Sequence, residues 1–193
     1  MYIVGFNGPP RSGKDTLAGM VADHADKQGC TIPVKEVSLS SPLRLLAYAM
    51  TKEMGRRLDG PDYEAFKLIH YPQFDKPGRQ LMIDISERFL KPVYGPDIMA
   101  KLLLEDLKDF PGLVLIRDCG FQIEARTLAE AVGWDNFFLT QVDRLGCDFS
   151  NDSREWVSHE HQMSCQNNLG FDDLEIEAGR LYDRLVNQMG WVL

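Results

Sequence analysis

A chain of 193 residues with 44% hydrophobic content is long enough to bury a full core, and it reads most simply as one domain, residues 1–193. Its formal net charge of -8 excludes the broad basic face that a nucleic-acid polymer requires, and no apolar run is long enough to span a membrane. The four cysteines, Cys30, Cys119, Cys147 and Cys165, form no CxxC pair. The expected setting is therefore reducing and cytoplasmic, with a strand starting at Tyr2 and no leader ahead of it.

Tyr2, Ile3, Val4 and Phe6 read as a strand, and from Thr16 the spacing of Leu17, Met20, Val21 and His24 predicts a helix. Between them Gly8, Gly13 and Lys14 stand at GxxxxGK spacing, the pattern of a loop that wraps a polyphosphate with backbone N–H groups. Glycines at both ends let the backbone approach the anion, Lys14 supplies a point charge, and the start of the helix adds its dipole. The expected nucleotide contacts are Gly8, Pro10, Arg11, Ser12, Gly13, Lys14, Asp15 and Thr16. Asp15 stands directly after the lysine, where many such loops carry a magnesium-binding hydroxyl, so that role falls to Thr16. The order lysine, any residue, threonine resembles adenylate kinase and other small nucleotide kinases more than GTPases.

Residues 34–39 read as a second strand, parallel to the first because the crossover is long. Ser40, Ser41 and Pro42 predict a helix start, continued by Leu43, Leu46, Ala47 and Met50. After an interruption over 55–61, helices are expected at 62–70, at 79–90 (Leu81, Met82, Ile85, Phe89) and at 96–107, with a loop at 71–78. The stretch from about 55 to 95 is thus expected to be a helical, acceptor-binding insertion without sheet. Leu113–Ile116, LVLI, has the continuous apolar character of a strand covered on both faces. A helix over 121–132, a strand over 137–142, a charged lid-like segment over about 143–160, a short last strand at 174–176 and a helix over 179–189 complete the chain. Strands and helices alternating in this way predict a three-layer α/β fold, a parallel sheet of about five strands with helices on both faces and ligands at the strands' carboxyl ends.

Asp118 follows the LVLI run and is positioned to hold magnesium directly or through water, or else to cap the helix starting near Phe121. Arg11 in the loop and Arg144 and Arg154 in the polar segment are candidates to neutralise a phosphoryl group in transfer. Arg44, Arg79 and Arg88 are candidates to grip an acceptor phosphate through bidentate bonds. Tyr63, Phe74 and Tyr94 are candidates to stack on a base, or to be core. The run HEHQMSC, with His159, His161 and Cys165, fits no structural zinc spacing.

The segments RSGKDT, SLSSPLR, GRQLMIDIS, IRDCGFQIEA and LEIEAGRLYDRL, in that order, together resemble the deoxynucleoside monophosphate kinases of bacteriophages. The resemblance implies an adenylate-kinase-like P-loop fold and transfer of the γ-phosphoryl group of ATP to a dNMP, giving a dNDP, with ATP and Mg2+ as cofactors. It further implies a monomer or homodimer in the cytoplasm of a host cell. Gly8, Arg11, Gly13, Lys14, Asp15 and Thr16 would contact ATP phosphates, Arg79 and its neighbours the acceptor, and Asp118 the magnesium. Two departures stand out. The family reads Asp, Val, Arg, Phe where this chain has Asp118, Cys119, Gly120 and Phe121, so that arginine is missing or supplied elsewhere. An asparagine near the last strand corresponds to Glu177. Two other readings are a P-loop kinase for another small acceptor, such as phosphomevalonate or a nucleoside, and a nucleotide-binding regulatory protein without transfer activity.

Overall fold

In the computed structural model, which describes every residue except Leu58, Asn151 and Leu169, the elements follow one another as β1 (Tyr2–Asn7), α1 (Lys14–Lys27), β2 (Val34–Val37), α2 (Ser41–Thr51), α3 (Gly60–Leu68), β3 (His70–Tyr71), β4 (Lys76–Pro77), α4 (Gly78–Ile85), a π-helical turn (Ser86–Leu90), α5 (Lys91–Tyr94), α6 (Ile98–Leu107), β5 (Leu113–Ile116), α7 (Gln122–Val132), β6 (Phe137–Asp143), β7 (Gln162–Gln166) and α8 (Phe171–Asn187). Part of the interruption expected over 55–61 and one residue of the polar segment lie outside the described residues. No helix among the described residues is long and apolar enough to cross a membrane.

The chain divides into two compact units, Met1–Leu39 with Leu104–Leu193, and Ser40–Leu103. The first holds a five-stranded sheet in the order β2-β5-β1-β6-β7, with every pairing parallel. β1 is central: Val4 faces Leu115 on one side and Phe138 on the other. Because strand side chains alternate between faces, Val4, Phe6, Leu113, Leu115, Phe138, Val142 and Cys165 pack on one side with Leu17 and Val21 of α1 and Leu174, Leu181 and Leu185 of α8. α7 lies against β1 and β6 with Ala125, Leu128 and Ala129 buried. Each large apolar side chain so buried contributes about 1.5–3 kcal/mol. The result is the doubly wound α/β fold with the glycine-rich loop at the carboxyl end of the central strand.

The second unit is built around the rings of Tyr48, Phe66 and Tyr71, whose centroids lie 4.5 and 5.4 Å apart in sequence. Gly78 is needed there because a Cβ at that position would lie 2.3 Å from the carbonyl oxygen of Phe66.

Three sequence expectations are corrected. The last strand is Gln162–Gln166, not 174–176, which lies inside α8. QMSCQ is an edge strand whose polar residues face water, so it lacks the apolar signature, whereas Leu174, Ala178, Leu181 and Leu185 recur at helical spacing and Ile176 is 55% exposed. The helical insertion also carries a small antiparallel hairpin, β3 with β4, inside the stretch expected to be loop. The helix expected over 79–90 is α only to Ile85 and then widens into the π-helical turn. The residue directly after the last strand is accordingly Asn167, not a position near Glu177.

Candidate active site

The loop from Gly8 to Gly13 connects a buried strand to the start of α1. Ser12 N–H donates to the Pro9 carbonyl at 3.2 Å, Arg11 adopts a left-handed φ of 67°, and Gly13 reaches φ 97° as the residue before α1. The two motif glycines are required by protein packing. A Cβ at Gly8 would lie 2.4 Å from the Val142 carbonyl oxygen, and one at Gly13 would lie 2.4 Å from Asn167 Nδ2. Asn167, buried behind the loop, donates from that amide to the Ser12 carbonyl at 2.7 Å. The buried Ser12 hydroxyl oxygen and Asn167 Oδ1 have no hydrogen-bond partner. The first N–H groups of any α-helix lack intrahelical partners, so this turn presents donors and a positive dipole end suited to phosphate.

Lys14 lies at the root of that turn with its side chain 9% exposed, its Nζ 3.4 Å from the Pro9 carbonyl and 3.8 Å from Asp15 Oδ1. Burial pushes its pKa down, against the field of Asp15, and Arg154 pushes the same way as burial. An anion at the loop relieves that penalty. Asp15 is exposed and Thr16 is half-buried on the first turn of α1, while Pro10 is half-buried in the loop. Together the lined-up donors, the buried ammonium and the Thr16 hydroxyl are of the kinds that ATP phosphates and a magnesium ion require.

Asp118 stands two residues past β5. Its Oδ2 accepts from Ser38 Oγ at 2.5 Å and its Oδ1 from the Leu39 N–H at 2.6 Å, so it ties the end of β5 to the chain leaving β2. It does not cap α7, whose first turn follows Phe121 without a side-chain cap. Its charge reaches both Lys14 and Arg154.

Arg154 is 23% exposed and pairs with Asp152 through Nε at 2.8 Å and Nη2 at 2.5 Å. This hydrogen bonding raises its pKa. The stretch after it is fixed by Asn7, the buried last residue of β1. Asn7 Nδ2 donates to the carbonyls of Cys119 at 2.9 Å and Glu155 at 3.0 Å, and its Oδ1 accepts from Val157 N–H at 3.1 Å. Arg144, on the exposed side of the same segment, donates from Nη1 to the Arg11 carbonyl at 3.3 Å, while the Arg11 side chain is exposed. A cavity of about 540 Å³ opens nearby, lined among others by Gln141, Asp143, Asp148, Phe149 and Trp156. Its two carboxylates make it unsuited to phosphate.

The acceptor-side candidates lie in the other unit. Arg44 is buried on α2, where its Nε and Nη2 reach Ser40 Oγ at 3.1 and 2.8 Å and its guanidinium covers the Tyr63 ring at 3.9 Å. Arg79 is exposed on the first turn of α4, and Arg88 is exposed on the π-helical turn with its Nε 3.5 Å from Asp84. Tyr94 is exposed against Phe89, and Phe74 is half-buried at the hairpin tip. In HEHQMSC, Cys165 is buried on β7 and His159 stacks on Trp134, with centroids 5.3 Å apart and planes 5° from parallel. Among the described residues no group of three or more His, Cys, Asp or Glu is placed to hold a metal. Asn7, Asn167, Asp152 and Ser38 escaped the sequence reading, because each acts through a partner distant in the chain or through a loop turn.

No protein-family model matches the chain, and none of the curated proteins matches it in sequence. Among solved structures it is similar to a cysteine-to-alanine variant of the APS kinase CysC of Mycobacterium tuberculosis, with 16% identity over 95% of this chain and 96% of that one and a TM-score of 0.46. It is similar also to a gluconokinase of Sinorhizobium meliloti, with 13% identity over 97% of each chain and a TM-score of 0.46. Likenesses this distant carry no information on substrate.

Proposed function

We propose that this chain is an ATP-dependent phosphotransferase that passes the γ-phosphoryl group to a nucleoside monophosphate, with a deoxynucleotide as the preferred acceptor. The observation that carries the transferase part is one sheet edge: buried Lys14 behind a glycine-rich loop, with the charges of Asp118 and Arg154 within its field. The acceptor part is supported by the ordered motif resemblance.

The chain's own groups supply positioning and charge, which is what in-line phosphoryl transfer needs. The N-terminal turn of α1 and Lys14 bind the donor's phosphates. Thr16 and Asp118 are the residues that would hold magnesium, the carboxylate directly or through water, and the ion would offset the charge of the phosphates. Arg154 offsets charge that develops on the transferred group, and Arg11 and Arg144, the latter bonded to the Arg11 carbonyl, are further candidates for the same task. Arg44, Arg79 and Arg88 are the acceptor-phosphate candidates.

A coupled ADP-release assay with MgATP over a panel of ribo- and deoxynucleoside monophosphates, modified pyrimidines included, tests the reading. ADP release that depends on one or more monophosphates is expected. Tight nucleotide binding with no acceptor-dependent ADP release would overturn it.

A further inference from the structure

Every residue used here belongs to the unit that contains the sheet, and the inference rests on the phosphotransfer reading above. Gly120 is not in the left-handed region, so its backbone conformation does not call for glycine. Its surroundings do. A Cβ at 120 would lie 2.4 Å from Cδ, 2.5 Å from Cγ and 3.1 Å from Cβ of Arg154, far inside van der Waals contact. These are the inner stem atoms, so the clash cannot be relieved by swinging the tip of the side chain. The aliphatic stem of Arg154 therefore lies flat on the backbone two residues beyond Asp118.

The same arginine is fixed at two further points. Glu155 N–H donates to the Gly120 carbonyl at 3.1 Å, which clamps the chain directly after it. At its head Asp152, with a side chain 6% exposed, takes Nε and Nη2, and Asp152 Oδ1 also accepts from the Arg154 backbone N–H at 3.1 Å. This pairing uses two of the five guanidinium N–H donors, leaving the group able to bond to phosphate as well.

We infer that Gly120 and Asp152 are positioning residues that hold Arg154 ready for the γ-phosphate of the donor, so that this cation belongs to the site before substrate arrives instead of being brought in by closure of the polar segment. Asn7, at the carboxyl end of β1, bonds the carbonyls of Cys119 and Glu155 on either side of this contact, which keeps the arginine at the same end of the sheet as the glycine-rich loop. A guanidinium oriented in advance gives up no rotamer freedom at the moment of reaction.

The test compares calorimetric affinities for MgATP and MgADP in the parent, Gly120→Ala, Asp152→Asn, Arg154→Ala and the double variant Gly120→Ala/Arg154→Ala, with circular dichroism confirming that each is folded. The parent should prefer MgATP over MgADP. Each single variant should cut that preference by about tenfold, the worth of one charge-assisted hydrogen bond, with MgADP affinity within about twofold of the parent. The double variant should be no worse than Arg154→Ala, because the added methyl group acts only by displacing the arginine. A general loss of packing would instead weaken both nucleotides together and add in the double variant. Parental preference retained in Gly120→Ala and Asp152→Asn, or a parent that binds the two nucleotides equally, overturns the inference while leaving the phosphate loop intact. A parent that binds neither nucleotide overturns the phosphotransfer reading itself.

Discussion

Arg154 has its guanidinium locked on Asp152 and its stem pressed against Gly120, whereas Arg79 and Arg88 stand exposed on α4 and on the turn that follows it. The two arrangements suit different tasks. Charge that must stabilise a transition state gains most when oriented in advance, since reorganising it during the reaction would cost part of the gain. Charge that captures an acceptor can be ordered by the acceptor, at a cost of up to about 2 kcal/mol in side-chain entropy that weakens binding without slowing chemistry. The contrast is sharpest in kinetics, because the first kind of residue controls kcat and the second controls KM.

The largest effect is expected at Arg154. Arg154→Ala should lower kcat by roughly 10³-fold with KM for the monophosphate little changed. Steady-state kinetics that show a pure KM defect there would reverse the assignment of the two regions. Lys14→Ala comes next: losing a charge-assisted bond of about 1.5–3 kcal/mol should cut transfer by about 10–150-fold in a protein that still folds. Removing a buried ammonium also removes a desolvation penalty, so its melting temperature should hold or rise. Unchanged turnover in that variant would end the phosphate-loop assignment.

Asp118→Asn should shift the magnesium titration of activity to higher concentration and lower stability by about 1 kcal/mol, because an amide cannot accept from both Ser38 and Leu39 as the carboxylate does. A stability loss with an unmoved magnesium curve would make Asp118 a tie between strand ends and nothing more. Arg79→Ala should raise KM for the monophosphate by several-fold to about tenfold with kcat near the parent value.

The smallest effect separates site charges from structural ones. His159 is held below its ordinary pKa, first by burial and then by the neighbouring His161, against the pull of Glu160 and a backbone hydrogen bond. Its neutral form is therefore favoured in the folded state, and the stability that follows is present above the unfolded value of about 6.5 and is lost as pH falls through the lower folded value. His159→Phe keeps a ring against Trp134 and should flatten the fall of melting temperature between about pH 7 and pH 5 relative to the parent. Equal slopes in the two proteins would remove His159 from the acid sensitivity.

How far the sequence could be read follows the range of each interaction. β1, the glycine-rich loop and α1 are legible because their signals, a strand pattern, a fixed spacing and a helical period, sit within thirty residues. β5 is legible because it is covered on both faces. β7 is not: it stands last in the strand order, and QMSCQ carries a single buried side chain, Cys165. Asp118 is found from its position after β5, yet its bonds to Ser38 and Leu39 depend on β2 lying beside β5, which no local pattern announces. Gly120 reads in sequence as a missing arginine; only the fold shows another arginine's stem lying over it.

Asn7 ends the central strand, and its amide reaches carbonyls at 119 and 155 and the N–H at 157. β1 itself finds its two sheet partners only at β5 and β6, more than a hundred residues along the chain. Such pairings form after long loops have closed, so a fold centred on them assembles slowly and its glycine-rich turn gains its final shape late. A nucleotide then meets a finished site only near the end of the folding reaction. Bound ligand should accordingly act as a brake on unfolding and leave the rate of refolding almost unchanged.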